Sequence, residues 1–179
     1  RVLFRSGPVT SRQGGNLLDF AIGQYDTYTP IQMAQYVSTI ANGGKRVQPH
    51  LFLESFNEND EGQKISLLQH KIKVLDDVSS YTLAFDRVQT GFREGCVTGL
   101  AKAMNGYYQA AGKTGTAQVM INGVEYQNRA FVGYAPYNAP QISIACISET
   151  QTSSSSSACN SISKQALTKY FDKYGVKNK

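Results

Sequence analysis

Ala110-Ala-Gly-Lys-Thr-Gly-Thr-Ala-Gln118 continues to Ile121 and is followed at once by Asn122-Gly123 and by Val124-Glu-Tyr-Gln-Asn-Arg-Ala-Phe-Val-Gly-Tyr134. Asn-Gly supplies the two left-handed residues of a tight hairpin turn, so the flanking runs read as two antiparallel strands, Tyr108 to Ile121 and Val124 to Tyr134. Pro136-Tyr-Asn-Ala-Pro140 makes a second turn into a third strand, Gln141 to Ser148. The tetrad Lys113-Thr114-Gly115-Thr116 therefore lies on a strand, with an ammonium and two hydroxyls beside a glycine. That set of groups suits an anion.

Helical signals flank the strands. Thr29-Pro30-Ile31-Gln32 is a capping box with proline at the first helical position, and Met33, Ala34, Val37, Ile40 and Ala41 recur at helical spacing up to the stop Asn42-Gly43-Gly44. A second helix is predicted from about Ser80 to Met104, with Ala84, Val88, Phe92, Leu100 and Ala103 on its buried side and Asn105-Gly106 at its end. A closing helix from about Ala158 places Ile162, Ala166, Leu167, Tyr170 and Phe171 on one stripe, which should cover one face of the sheet. Leu51-Phe52-Leu53 reads as a short strand, and Asn57 to Gln63 as a solvated turn. The apolar run Leu17 to Ile22 is broken at Gly23, and Thr152 to Ser157 reads as a flexible serine loop. The expected fold class is α+β, an antiparallel sheet backed by helices, with the Lys113 strand at an accessible edge.

Composition narrows the function. The 179 residues are 41% hydrophobic, with 11 tyrosines and 8 phenylalanines, which is the make-up of a globular domain rather than a disordered chain. The net charge of +5 is mild. Lys164, Lys169, Lys173, Lys177 and Lys179 belong to a solvated C-terminal helix face, and no nucleic-acid-binding module is recognisable. Cys96, Cys146 and Cys159 show no metal-ligand spacing and read as buried thiols, since three cannot all pair. His50 and His70 are isolated and read as surface or packed residues rather than a catalytic dyad. No metal or organic cofactor is implied. The chain opens on Arg1 and holds no apolar run long enough for a signal or a membrane span, so an upstream segment is expected to have been removed.

Gly112-Lys113-Thr114 also ends like a phosphate-binding loop. The spacing does not fit: Gly106 precedes Gly112 by five intervening residues instead of four, and Tyr107-Tyr108 is a poor sequence for a loop whose backbone must wrap phosphate closely. An exposed strand lysine with no task is the other reading of the triplet taken alone.

Four segments together go further. Gly23-Gln-Tyr-Asp-Thr-Tyr-Thr-Pro-Ile-Gln-Met-Ala34, Ile40-Ala-Asn-Gly-Gly-Lys45, Ala111-Gly-Lys-Thr-Gly-Thr-Ala-Gln118 and Phe131-Val-Gly-Tyr-Ala-Pro136 stand in the order seen in penicillin-binding proteins. From about Leu17 onward the chain resembles the C-terminal part of a class B, monofunctional D,D-transpeptidase, most like the elongation type of low-GC Gram-positive bacteria. Gly91 through Tyr108 matches only loosely, and the serine run is not a family feature.

The resemblance implies a partial penicillin-binding-protein/β-lactamase-like fold and an acyl transferase with a serine nucleophile. Its S-x-x-K and S-x-N motifs should precede this segment, so residues 1–179 are expected to be the C-terminal portion of one transpeptidase domain and the isolated chain to be inactive. Ser161-Ile-Ser-Lys164 and Ser55-Phe-Asn57 satisfy the two patterns literally but lie in the wrong places. Lys113 would give positive charge to the substrate carboxylate and to the serine chemistry, Thr114 and Thr116 would offer hydroxyls, and Gly115 would keep the strand surface low. The backbone amide of Thr116 would join the nucleophile's own amide in an oxyanion hole, a donor worth about 3 kcal/mol. The implied partners are peptidoglycan stem peptides ending in D-Ala-D-Ala and the β-lactams that mimic them. The parent would be membrane-anchored, would act outside the cytoplasmic membrane, and would belong to a cell-wall synthesis complex. A non-catalytic muropeptide- or partner-binding module of the same fold is one alternative; part of a β-lactamase or β-lactam sensor is another. The sheet would also take strands from the N-terminal side of the domain, leaving the Gln141 strand with an unpaired edge and a tendency to self-associate.

Overall fold

The computed structural model describes residues 28–151 and 158–177. The Leu17 run, the Gly23 break, the Thr152 to Ser157 loop and Lys179 lie outside the described residues. The elements in chain order are α1 (Pro30–Ala41), β1 (Lys45–Val47), β2 (Glu54–Glu58), β3 (Lys64–Gln69), β4 (Val74–Asp77), α2 (Thr82–Val97), β5 (Ala111–Ile121), β6 (Val124–Ala135), β7 (Ile142–Gln151) and α3 (Ala158–Tyr174). The main sheet is β5-β6-β7, antiparallel throughout; β1 pairs with β4 and β2 with β3 as separate ribbons. The mixed architecture is the α+β arrangement expected.

The capping box forms as read. The Thr29 amide donates to Gln32 Oε1 at 2.9 Å, and the Gln32 amide to Thr29 Oγ1 at 3.4 Å. Gly43 and Gly44 end α1 with φ of +75° and +114°, and the Gly44 amide donates to the Thr39 carbonyl at 2.8 Å. The Asn122-Gly123 turn has φ of +51° and +79°, the left-handed pair that holds β5 and β6 in register from Ile121/Val124 to Ala111/Tyr134.

Two cores lie on opposite faces of the sheet. Val37 and Ile40 of α1 pack with Ala111, Val132 and Tyr134, joined by Phe85 and Phe92 of α2. Leu167, Phe171 and Cys159 of α3 pack with Phe131, Ala135, Tyr108 and Met104 on the other face. Cross-strand partners share a face of a sheet, and alternate residues along a strand change face, which is why these two sets interleave in sequence.

Several boundaries differ from the sequence reading. The long helix stops at Val97, because Thr98 and Gly99 close it onto the Glu94 carbonyl, and only a single tight turn at Lys102–Met104 follows. Its inward stripe is the half-buried Phe85, Gln89 and Phe92 with the buried Cys96; Ala84, Val88 and Ala103 are exposed, and Leu100 is 85% exposed. Gln89 Nε2 sets this rotation by donating to the Ile40 carbonyl at 2.6 Å. On α3 the buried positions are Cys159, Ser163, Leu167 and Phe171, while Ile162 and Ala166 face solvent. Leu51-Phe52-Leu53 is an exposed lead-in rather than a strand, and the pairing begins at Glu54. The turn of that hairpin is tighter than expected, Asn59 to Gln63, with Asn59 Oδ1 accepting from the amides of Glu61 and Gln63. Tyr108 belongs to a turn before β5, where Gln109 has φ of +47° and the Tyr108 ring stacks on Phe171.

The cysteines also correct the sequence reading. Cys146 of β7 and Cys159 of α3 form a disulfide, their Cα atoms 5.4 Å apart, leaving Cys96 as a fully buried free thiol. His50 and His70, isolated in sequence, are stacked at a ring separation of 3.5 Å beside the β2–β3 hairpin. They are packed residues, as read, but packed on each other. Lys164, Lys169, Lys173 and Lys177 are exposed, as expected of a solvated face.

Candidate active-site strand

β5 is an edge of the main sheet among the described residues, and how far that edge is open is set by α2. A Cβ built on Gly95 of α2 would lie 2.6 Å from the Gly112 carbonyl oxygen, so the helix backbone sits directly against the strand there. Arg93 Nη1 donates to the Ala110 carbonyl at 2.7 Å and closes the position before it. Beyond Gly112 this cover ends, and Lys113, Gly115, Thr116, Ala117 and Gln118 are exposed.

The direction of the free backbone groups follows from these contacts. In an antiparallel pair both polar groups of a residue point to the same side, and the side alternates along the strand. Gly112 turns its carbonyl toward α2 and away from β6. Thr114 also turns outward, since its carbonyl accepts Lys113 Nζ at 2.7 Å. The amide of Thr116, two residues further on, accordingly points out of the open edge.

The side chains divide differently. Lys113 pairs with Val132 and Gly115 with Ala130, on the face covered by α1; Thr114 pairs with Phe131 and Thr116 with Arg129, on the face covered by α3. The ammonium and the two hydroxyls are therefore on opposite faces of the strand, and Lys113 reaches the edge only by folding over to the Thr114 carbonyl. A ligand that meets all three must lie along the edge itself.

The glycines of this strand have different causes. A Cβ on Gly112 would come within 2.6 Å of both Phe131 and the Val132 carbonyl, so packing requires glycine there. A Cβ on Gly115 would meet only Ala130 Cβ, at an ordinary 3.7 Å. Among the described residues neither packing nor backbone geometry demands glycine at 115, and the strand surface there stays low enough for a close approach.

Arg93, Lys113 and Arg129 make this end of β5 cationic. The Cys96 thiol behind Gly112 is pushed up to about 11 by its burial, against the opposing pull of Arg93. It is an inert packing group. Ser161 lies on the exposed side of α3, where Gln165 Nε2 donates to its hydroxyl at 3.5 Å, and Ser55 lies on β2. The structure brings neither to β5. Sequence reading did not single out Arg93, Gly95 or Arg129. The two-residue turn was a usable signal for Arg129, because positions equidistant from Asn122-Gly123 become partners and Thr116 must then face residue 129.

The chain belongs to the family of penicillin binding protein transpeptidase domains, whose profile matches residues 4–168. Among its relatives, penicillin-binding protein 2A of Bacillus subtilis strain 168 is 39% identical over 178 residues, covering 91% of this chain and 25% of that protein. The peptidoglycan D,D-transpeptidase MrdA of Acinetobacter baumannii is 32% identical over 165 residues, covering 75% of this chain and 21% of the relative. Among solved structures, penicillin-binding protein 2B of Streptococcus pneumoniae strain R6 superposes with a TM-score of 0.79 at 31% identity, covering 93% of this chain and 28% of the other. The chain thus spans about a quarter of the length of these relatives. The resemblance read from Gly23 to Pro136 holds for the family.

Proposed function

We propose that this chain is the substrate-docking, C-terminal portion of a serine D,D-transpeptidase domain that cross-links peptidoglycan stem peptides and is acylated by β-lactams. The observation that carries the reading is the edge of β5 from Lys113 to Thr116, closed by α2 up to Gly112 and, among the described residues, open beyond it with no packing against Gly115 tighter than 3.7 Å. An extended stem peptide adds to this edge as a strand, exchanging backbone hydrogen bonds with Thr114 and Thr116. The outward amide of Thr116 serves as one donor of the oxyanion hole. Lys113 supplies positive charge for the substrate carboxylate and for the serine chemistry, and the Thr114 and Thr116 hydroxyls bind the substrate on the other face.

The nucleophile comes from an S-x-x-K serine outside these residues, which attacks the penultimate D-alanine carbonyl and releases the terminal D-alanine. The acyl group then passes to an amine of a second stem. No cofactor enters this scheme. Among the described residues no helix is long and apolar enough to cross a membrane, so anchoring of the parent at the outer face of the cytoplasmic membrane falls to other parts of it. The Cys146–Cys159 disulfide supports an oxidising, extracytoplasmic setting. Assembly of the parent into a cell-wall synthesis complex is part of the same proposal.

Intact-mass spectrometry with benzylpenicillin tests it. The 179-residue chain gains no covalent adduct, whereas a protein carrying the same chain together with its S-x-x-K segment gains one on that serine. An adduct on Ser161 of the isolated chain would overturn the reading.

A further inference from the structure

We propose that Arg129 binds the ligand carboxylate on the threonine face of β5 and so helps set the specificity of the strand for acids. The inference rests on the docking function just described. It starts from the division of side chains: Lys113 is on the α1 face, and the Thr114 and Thr116 hydroxyls are on the α3 face. A carboxylate held by those hydroxyls meets Lys113 only where its ammonium folds over the strand edge to the Thr114 carbonyl. Arg129 is a cation on the threonine face itself.

The register places Arg129 directly across from Thr116 on β6 and across from Ser148 on β7, so the three form one row over the sheet. Cβ atoms of such partners are about 5 Å apart, well within the length of an arginine side chain. Arg129 is half-buried, and its Nε is buried with no hydrogen-bond partner. Nη2 donates to Gln127 Oε1 at 2.8 Å, a neutral acceptor two residues back on the same face. A partly desolvated guanidinium with a neutral partner and a spare donor is costly to keep unless something anionic completes it. A planar carboxylate fits the guanidinium fork in two-point geometry, which an ammonium cannot reproduce. The Arg129 carbonyl lies 3.4 Å from the Cys159 sulfur of the disulfide, at the start of α3.

The test uses the full-length protein containing this chain and two probes, benzylpenicillin and its methyl ester, which differ only in the carboxylate. Second-order acylation rates are measured for the wild type and for Arg129→Gln, Arg129→Lys and Lys113→Gln. Arg129→Gln should slow acylation by benzylpenicillin about 10- to 100-fold and by the ester less than about twofold, with Arg129→Lys recovering part of the loss. Equal losses with both probes, or no loss with either, would overturn the proposal. A wild type that neither probe acylates, or a Lys113→Gln variant as fast as wild type, would overturn the docking function beneath it.

Discussion

Gly95 of α2 stands against the carbonyl of Gly112 so closely that a single added methyl would lie 2.6 Å from the oxygen. This contact decides where the sheet edge opens, and it predicts opposite effects for two glycines on one helix. Among the described residues Gly91 has nothing within 4 Å of a built Cβ, so Gly91→Ala should stabilise the chain by about 0.5–1 kcal/mol through helix propensity. Gly95→Ala should destabilise it by about 1–3 kcal/mol, because the helix must move off the strand. Urea unfolding of the two variants measures both signs.

Gly115 should separate folding from docking. With its nearest neighbour at 3.7 Å, Gly115→Ala should leave stability within about 0.5 kcal/mol of wild type. In the full-length protein the same change should slow β-lactam acylation by at least about tenfold, since the methyl stands where the ligand backbone approaches. Unchanged acylation would remove the case for a ligand at that position.

Cys96 makes stability fall at high pH. Burial disfavours the thiolate and pushes the folded thiol up to about 11 from an ordinary value of 9.0. A raised folded value means that the contribution is complete below 9.0 and is lost as pH climbs toward 11. Two units correspond to about 3 kcal/mol at most. Cys96→Ala should flatten the stability profile across that window, and native Cys96 should resist iodoacetamide at pH 8.

The disulfide gives a simple count. A non-reducing peptide map should show Cys146 linked to Cys159 and one thiol, at Cys96, titrating only after denaturation. The link spans a sequence separation of 13, and replacing both cysteines with serine should cost about 3 kcal/mol by the loop-closure argument.

Much of this fold was legible from local chemistry. Thr29-Pro30-Ile31-Gln32, Asn42-Gly43-Gly44 and Asn122-Gly123 each impose one backbone geometry, and α1 and the β5–β6 hairpin formed where they required. The helix faces were less legible. Ala84 and Phe85 are adjacent and both apolar, and which one turns inward depends on long-range contacts: Phe85 and Phe92 pack on the α1 core, and Gln89 bonds to the Ile40 carbonyl. Counting three cysteines could not show that Cys146 and Cys159 meet, because that depends on α3 crossing β7. Within the site, the tetrad from Lys113 to Thr116 was visible as a motif, but the closure of its edge by Gly95 and the pairing of Thr116 with Arg129 exist only once α2 and β6 are docked beside it.

The central claim is that Lys113 and its strand edge dock the ligand for a serine supplied elsewhere in the protein. The most direct measurement is the benzylpenicillin acylation rate of the full-length protein with Lys113→Gln, beside a thermal melt to confirm folding. Lys113 is exposed and its described hydrogen bond is to the neighbouring Thr114 carbonyl, so the melt should be unchanged. Acylation should fall by at least about 100-fold, the loss expected when a charge aimed at the reacting site is removed. A variant that folds normally and is acylated at the wild-type rate would contradict the account.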